Sequence, residues 1–523
     1  MAGNTQTFQL TRAGGIFAWL FAFAVVCPAV SAQAPRLTIW IVADQFRADY
    51  LQRYALDFGP DGFRRMQNEG AAFHRMRFDY TETFTSSGAA TLATGAYPET
   101  HGIVADSWYD RRSGEVVQAI GERQLPTPTS LSGSSLADEL NLATSGQSRI
   151  VSIADDPRLA VLLAGHRPLA CLWRGEQGEI RTSSYYAPLP QWATDYDARN
   201  RVNGARREWR ALRAADDAPP LRVLEGERYV RQYLASPFAV EDVFSLARAA
   251  IEGEQMGQDD VPDLLILGLG APGLLSLETG AYSPLMRDLA VKIDSDIAAL
   301  FAWLDERYLL DDTAVVFTAT HGVPPRKTDV ARANLPGGAV DGERLAQGVG
   351  QALGDFPGIR VEKYVFPFLS FNDAFSSLST DQRVSVVRAA GAAALEFPGV
   401  QAFYDPEASS ALGEAYRRMS NGFYAGRSGD MMLSYAPFYV EYYGGGSGTS
   451  SGSGHSYDTD VPLLLLGSWF RTVENDQIVD AASLAPTLAR LLGTAMPSGA
   501  SQRVLTESLA ASERTPAGPP APE

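Results

Sequence analysis

The chain has 523 residues, of which 45% are apolar and 20% charged, a balance that supports a large globular core and excludes a disordered or fibrous chain. Its formal net charge of −17 argues against nucleic acid or an anionic membrane surface as partner.

The first 32 residues read as an export signal. Lys, Asp and Glu are absent before residue 43, Arg12 supplies a positive start, and Gly15 to Val26 is an apolar run. Small residues at Val30-Ser31-Ala32 place cleavage after Ala32. The run is short for a membrane span, so the expectation is a periplasmic or secreted protein with no membrane contact after cleavage. Cys27 lies in the signal and lacks the small residues of a lipidation site. Cys171 is then the only thiol of the mature chain, and no internal disulfide forms.

Leu37 to Ala43 is a continuous apolar run, the pattern of a strand buried on both faces. It ends at Asp44, where α/β sheets place their chemistry. A helix is expected over Gly59–Glu69. Thr81 to Ile103 reads as a loop entering a short helix, with Thr85 as N-cap, Gly95 just past its end and Pro98 barring continuation. A hydroxyl at a helix N-terminus caps the helix, or it stands where an anion is held.

Residues 105–240 are rich in Arg, Asp, Trp and Tyr and read as a cap inserted over the sheet, with short strands near Arg149–Ala154 and Leu169–Trp173. A helix over Pro237–Gly253 follows. Asp263–Leu269 and Thr313–Thr320 read as further buried strands, joined by an amphipathic helix over Pro284–Leu310. Residues 330–410 read as a second insertion, and Gly444–Gly454 as a flexible Gly/Ser loop. Val461–Leu466 reads as another buried strand, and Ala481–Leu492 as a last helix. The fold class is α/β, a doubly wound sheet with inserted cap subdomains spanning 33–510. The Pro/Ala-rich residues 511–523 read as a disordered tail.

Four segments, Ile41–Leu51, Thr83–Ile103, Tyr424–Met431 and Tyr457–Leu463, stand in an order and spacing that resembles the alkaline phosphatase superfamily. The resemblance is strongest to its phosphate-irrepressible periplasmic branch, which uses a threonine nucleophile. It implies a sheet of the alkaline phosphatase type and two adjacent zinc ions that activate the nucleophile and stabilise the leaving oxygen. It places the nucleophile at Thr85 and one zinc at Asp44, Thr85 and His321, beside a position where the family has Asp and this chain has Thr320. For the second zinc, the family's Asp-x-x-x-His falls on Pro272 and Ser276, or one residue later on Gly273 and Leu277. The last ligand falls on His455. Arg158 matches a phosphate-binding Arg, Asp156 replaces its Lys partner, and Asp106 replaces an Asn that holds a phosphate oxygen.

Zinc sites need three or four protein ligands. Five histidines exist, His74, His101, His166, His321 and His455. The resemblance makes His101 and His166 structural, and His74 reads as a half-exposed strand residue. The expectation is a degraded two-zinc site, holding at most one zinc ion or none, in a weakly active or inactive protein that binds a small-molecule phosphate ester or another ligand. The alternative is an active phosphomonoesterase or phosphodiesterase that uses Thr85 with a single metal or rebuilt ligands. A sulfatase-type relative is disfavoured, because Thr85-Ser-Ser-Gly-Ala lacks the motif arginine.

Overall fold

β1 (Leu37–Ala43) is buried along its whole length because it lies at the middle of a ten-stranded sheet. The computed structural model describes Met1, Gly3 and residues 34–510 except 123–124, 205, 214, 216, 409–412 and 443–448. The signal and tail expectations, and much of the Gly/Ser loop, lie outside the described residues. Residues Ala34–Ala510 form one compact unit.

Eight further strands complete the main path of the sheet. They are β2 (Ala71–Arg77), β3 (Ile150–Ala154), β4 (Ala170–Arg174), β5 (Ile180–Arg181), β6 (Asp263–Leu269), β7 (Thr313–Ala319), β8 (Asp460–Leu466) and β9 (Val473–Asn475), in the order β9-β2-β8-β7-β1-β6-β3-β4-β5. β10 (Val479–Asp480) pairs with β2 off that path. β1 is parallel to both neighbours in a flush register: Ala43 lies opposite Leu269 on one side and Ala319 on the other. Both faces of these strands are covered, which explains their unbroken apolar runs. Trp40, Phe46, Tyr50, Phe63 and Phe317 are among the largest fully buried side chains. Phe46, Phe63 and Phe317 pack ring against ring under one face.

Four helices matter for the site. α1 (Thr85–Thr94) is buried throughout and ends at Gly95, whose φ of 66° is the left-handed stop expected there. α2 (Pro157–Ala164) packs on α1, α3 (Ala271–Thr279) follows β6, and α4 (Pro284–Asp305) is the amphipathic connector to β7. The helix expected over Gly59–Glu69 is confined to Phe63–Glu69.

Two domain expectations need correction. Residues 105–240 are not one cap, because β3 and β4 lie within the central sheet, β3 pairing with β6. Both are buried and short, a pattern that a cap strand and a sheet strand share. The second insertion extends past 410, since Met431–Tyr435 pairs with Phe368–Phe371 and Val400–Tyr404 in a four-stranded sheet.

Candidate active site

Flush strand ends bring three loops to one level. Asp44 follows β1 and donates its backbone N–H to Leu269 O at 2.8 Å, while Thr320 donates its own to Ala43 O at 3.0 Å. Gln45, next in line, has a φ of 56°, a strained value for a non-glycine residue and one that clusters at functional sites. Its side chain is fixed by the Ser276 hydroxyl, which donates to Gln45 Oε1 at 2.5 Å.

Thr85 is the first residue of α1, with Phe84 as the N-cap, so the expected capping role falls to the wrong residue. The Thr85 hydroxyl instead donates to Asp44, 3.1 Å from each carboxylate oxygen. Gly88, one turn along α1, lies so close to the Thr320 carbonyl that an added Cβ would overlap it. That contact locks Thr85 against the loop after β7.

The Thr320 hydroxyl donates to Asp44 Oδ1 at 2.6 Å. His321, fully buried, donates from Nδ1 to Gly322 O at 2.6 Å, because a carbonyl only accepts. Its Nε2 is therefore the unprotonated nitrogen of the neutral ring. It has no hydrogen-bond partner among the described residues and sits 3.4 Å from Asp44 Oδ1. Burial favours the neutral form of each: it raises the Asp44 carboxyl and lowers the His321 imidazole, each opposed by the other's charge.

Arg158 and Asp106 lie beside Thr85. Asp106 Oδ1 accepts the Ser86 backbone N–H at 2.9 Å, and Oδ2 accepts Arg158 Nη1 at 2.6 Å. Arg158 Nε and Nη2 meet Asp156, with Nη2 2.6 Å from Oδ2. The anion donors of the site are thus taken by the protein's own carboxylates.

A cavity of about 860 Å³ opens over these groups. Asp44, Thr85, Asp106 and Arg158 line it, and so do Gly273 and Leu277 of α3. Pro272 and Ser276 are buried and do not line it; Ser276 is turned toward Gln45. Gly273 abuts Asp44 so closely that a Cβ there would overlap the carboxylate. His455 is also not part of the cavity. Its Nε2 is 2.9 Å from the Tyr435 carbonyl, which can only accept. Ser451 lines the cavity instead, with Thr449 and Ser450. The outer wall comes from the second insertion, where Tyr364, Phe366 and Glu441 carried no motif that sequence reasoning could find. Among the other histidines, His101 is buried between Thr91 and the Ile103 N–H, and His166 pairs with Asp138.

Glu82, three residues before Thr85, is fully buried. Its Oε1 accepts the Thr81 hydroxyl and its Oε2 has no partner among the described residues. Burial pushes its carboxyl up to about 8 from an ordinary value of 4.5. The native state then holds a proton that the unfolded chain releases. Stability is full below about 4.5 and falls as pH rises toward 8, by up to about 1.4 kcal/mol per pH unit from this group. Urea unfolding across that window should show the Glu82→Gln variant with a shallower decline than the parent.

A mostly parallel sheet whose central strand ends in an aspartate, facing a threonine at a helix N-terminus, matches the fold of the alkaline phosphatase superfamily. Residues 38–335 match the sequence profile of the type I phosphodiesterase / nucleotide pyrophosphatase family, and the chain belongs to that family. It is 28% identical to the alkaline phosphatase PafA of Elizabethkingia meningoseptica over 94% of this chain and 98% of the relative. It is 26% identical to the alkaline phosphatase PhoV of Synechococcus elongatus over 93% and 96%. The PafA crystal structure superposes with a TM-score of 0.80 at 26% identity, covering 91% of this chain and 99% of PafA.

Among the described residues no group of three or more His, Cys, Asp or Glu side chains is placed to hold a metal ion, and no helix is long and apolar enough to cross a membrane.

Proposed function

We propose that this chain is a phosphodiesterase-family protein whose two-metal ester-hydrolysing centre is degraded, so that it acts by binding a ligand in the cavity. Family relatives suggest a metal cofactor. The residues here do not fit a pair of metal ions. The single observation that carries this is the wall facing Thr85: Gly273, Leu277 and Ser451 offer neither a carboxylate nor an imidazole. Thr320 adds only a hydroxyl, which Asp44 already binds.

The chemistry follows from charge. Phosphoryl transfer depends on positive charge placed where negative charge develops. Here the Thr85 hydroxyl faces the Asp44 carboxylate, and Arg158 is neutralised by Asp106 and Asp156. A phosphate ester entering this cavity meets carboxylates first.

A second reading has one observation in its favour. The lone pair of His321 Nε2 lies 3.4 Å from an Asp44 oxygen. Two acceptors in contact call for a proton or a cation. Asp44, His321 and Thr85 would hold a single ion there, which would supply Lewis-acid chemistry to the Thr85 hydroxyl.

Zinc analysis of the purified protein separates the two readings. Less than one ion per chain is expected, with aryl phosphate hydrolysis near background and unchanged in Thr85→Ala. Two tightly held ions, or hydrolysis that Thr85→Ala abolishes, would reverse the proposal.

A further inference from the structure

We propose that the cavity is a binding site for a small organic ammonium ion. The inference rests on the reading above, that no metal pair fills the space, and adds the chemical class of the occupant.

The charge of the walls comes first. Ser86 N–H and Arg158 are the anion donors beside Thr85, and Asp106 takes both. Asp341, Glu343 and Glu441 also line the cavity, with Arg158 and Lys363 as the two cations lining it among the described residues. Asp44 lies at the floor. The balance is negative in a recess where low-dielectric walls focus the field.

The apolar part of the lining is aromatic. Phe84, Tyr364, Phe366 and Tyr442 line the cavity. Phe84 and Phe366 meet edge to face with centroids 6.1 Å apart. Glu441 is buried and accepts the hydroxyls of Tyr435 at 2.6 Å and Tyr364 at 3.3 Å. Aromatic rings beside acidic groups suit an ammonium ion, because attraction to the rings offsets part of the cost of desolvating its charge.

A second, independent observation also points to a ligand. Ser450 lines the cavity, is 8% exposed, and has a hydroxyl without a hydrogen-bond partner among the described residues. The neighbouring Thr449 hydroxyl has no partner among them either. Buried hydroxyls are normally satisfied, and an N–H donor or hydroxyl on the ligand would satisfy these. The volume of about 860 Å³ is that of a small-molecule site.

The test is calorimetric titration and thermal unfolding of the full mature chain with tetramethylammonium chloride and with 1,4-diaminobutane dihydrochloride, against sodium chloride at equal ionic strength. Quaternary and primary ammonium sources are thereby told apart. At least one should bind with a dissociation constant below about 10 mM. Phe366→Ala should weaken binding about tenfold, as loss of a cation–ring contact would. The exposed Glu343→Gln should weaken it a few-fold without altering the melting temperature of the free protein. Binding of neither ion, or binding that both variants leave unchanged, overturns the proposal. Zinc is measured on the same sample: two ions per chain overturn the underlying reading, whereas less than one ion without ammonium binding overturns the ammonium proposal alone.

Discussion

Asp106→Asn is expected to give the cavity an affinity for inorganic phosphate or tungstate about 10- to 100-fold above that of the parent chain, because one negative charge is removed at contact distance from the incoming anion. In the parent, the Asp106 carboxylate bridges the Ser86 N–H and Arg158 Nη1. Those two groups make a natural oxyanion seat, a backbone donor at a helix start beside a guanidinium. Asparagine keeps the size of the side chain and removes its charge. Arg158 keeps one carboxylate, Asp156, which fixes its direction without saturating it. Calorimetry with tungstate measures the change directly. Equal affinity in parent and variant would show that Asp44, not Asp106, dominates the field of the site.

Rebuilding the missing donors is expected to have the other large effect. The combination Gly273→Asp, Leu277→His, Ser451→His and Thr320→Asp should raise zinc content from below one ion toward two ions per chain, since each site then reaches three or four ligands. Stability in this variant becomes dependent on zinc. Thr320→Asp puts a second carboxylate beside Asp44, and Gly273→Asp forces the Asp44 side chain to move, because its carboxylate lies where the new Cβ must go. Both costs fall only when metal is bound, so unfolding with and without a chelator should differ widely. The shifted set Pro272→Asp, Ser276→His and Thr320→Asp is the control. Neither Pro272 nor Ser276 lines the cavity, so that set should gain no more zinc than Thr320→Asp alone. A gain there instead would overturn the assignment of Gly273 and Leu277.

Much of the architecture was legible from local pattern. β1, β6 and β7 are apolar runs bounded by charge, and each proved a central strand. Asp44, Thr85, His321, Asp106 and Arg158 lie close together, because each sits at or beside the end of a strand or helix and its direction is set by backbone geometry. His455 does not converge. A histidine in a Gly/Ser stretch looks like the most probable ligand by chemistry alone, yet the turn into Ser456–Thr459 aims it at Tyr435 and leaves Ser451 on the cavity. Spacing could not choose between Pro272 and Gly273, because adjacent helical residues differ by about 100° in direction and only packing shows which one faces the site. The aromatic wall was invisible for a different reason. Tyr364 and Phe366 are far from Glu441 in sequence, and the three come together only through the four-stranded sheet and its neighbours.

The flush pairing of β1 has a consequence in time. Its partners are Asp263–Leu269 and Thr313–Ala319, more than two hundred residues further along the chain. At ordinary rates of synthesis, about 5 to 20 residues per second, roughly ten to forty seconds pass before the first of them exists. Throughout that interval the sequence Leu-Thr-Ile-Trp-Ile-Val-Ala has both edges open and no charge to discourage a wrong neighbour. The strand that anchors the finished site is therefore open to wrong pairing while the rest of the chain is being made.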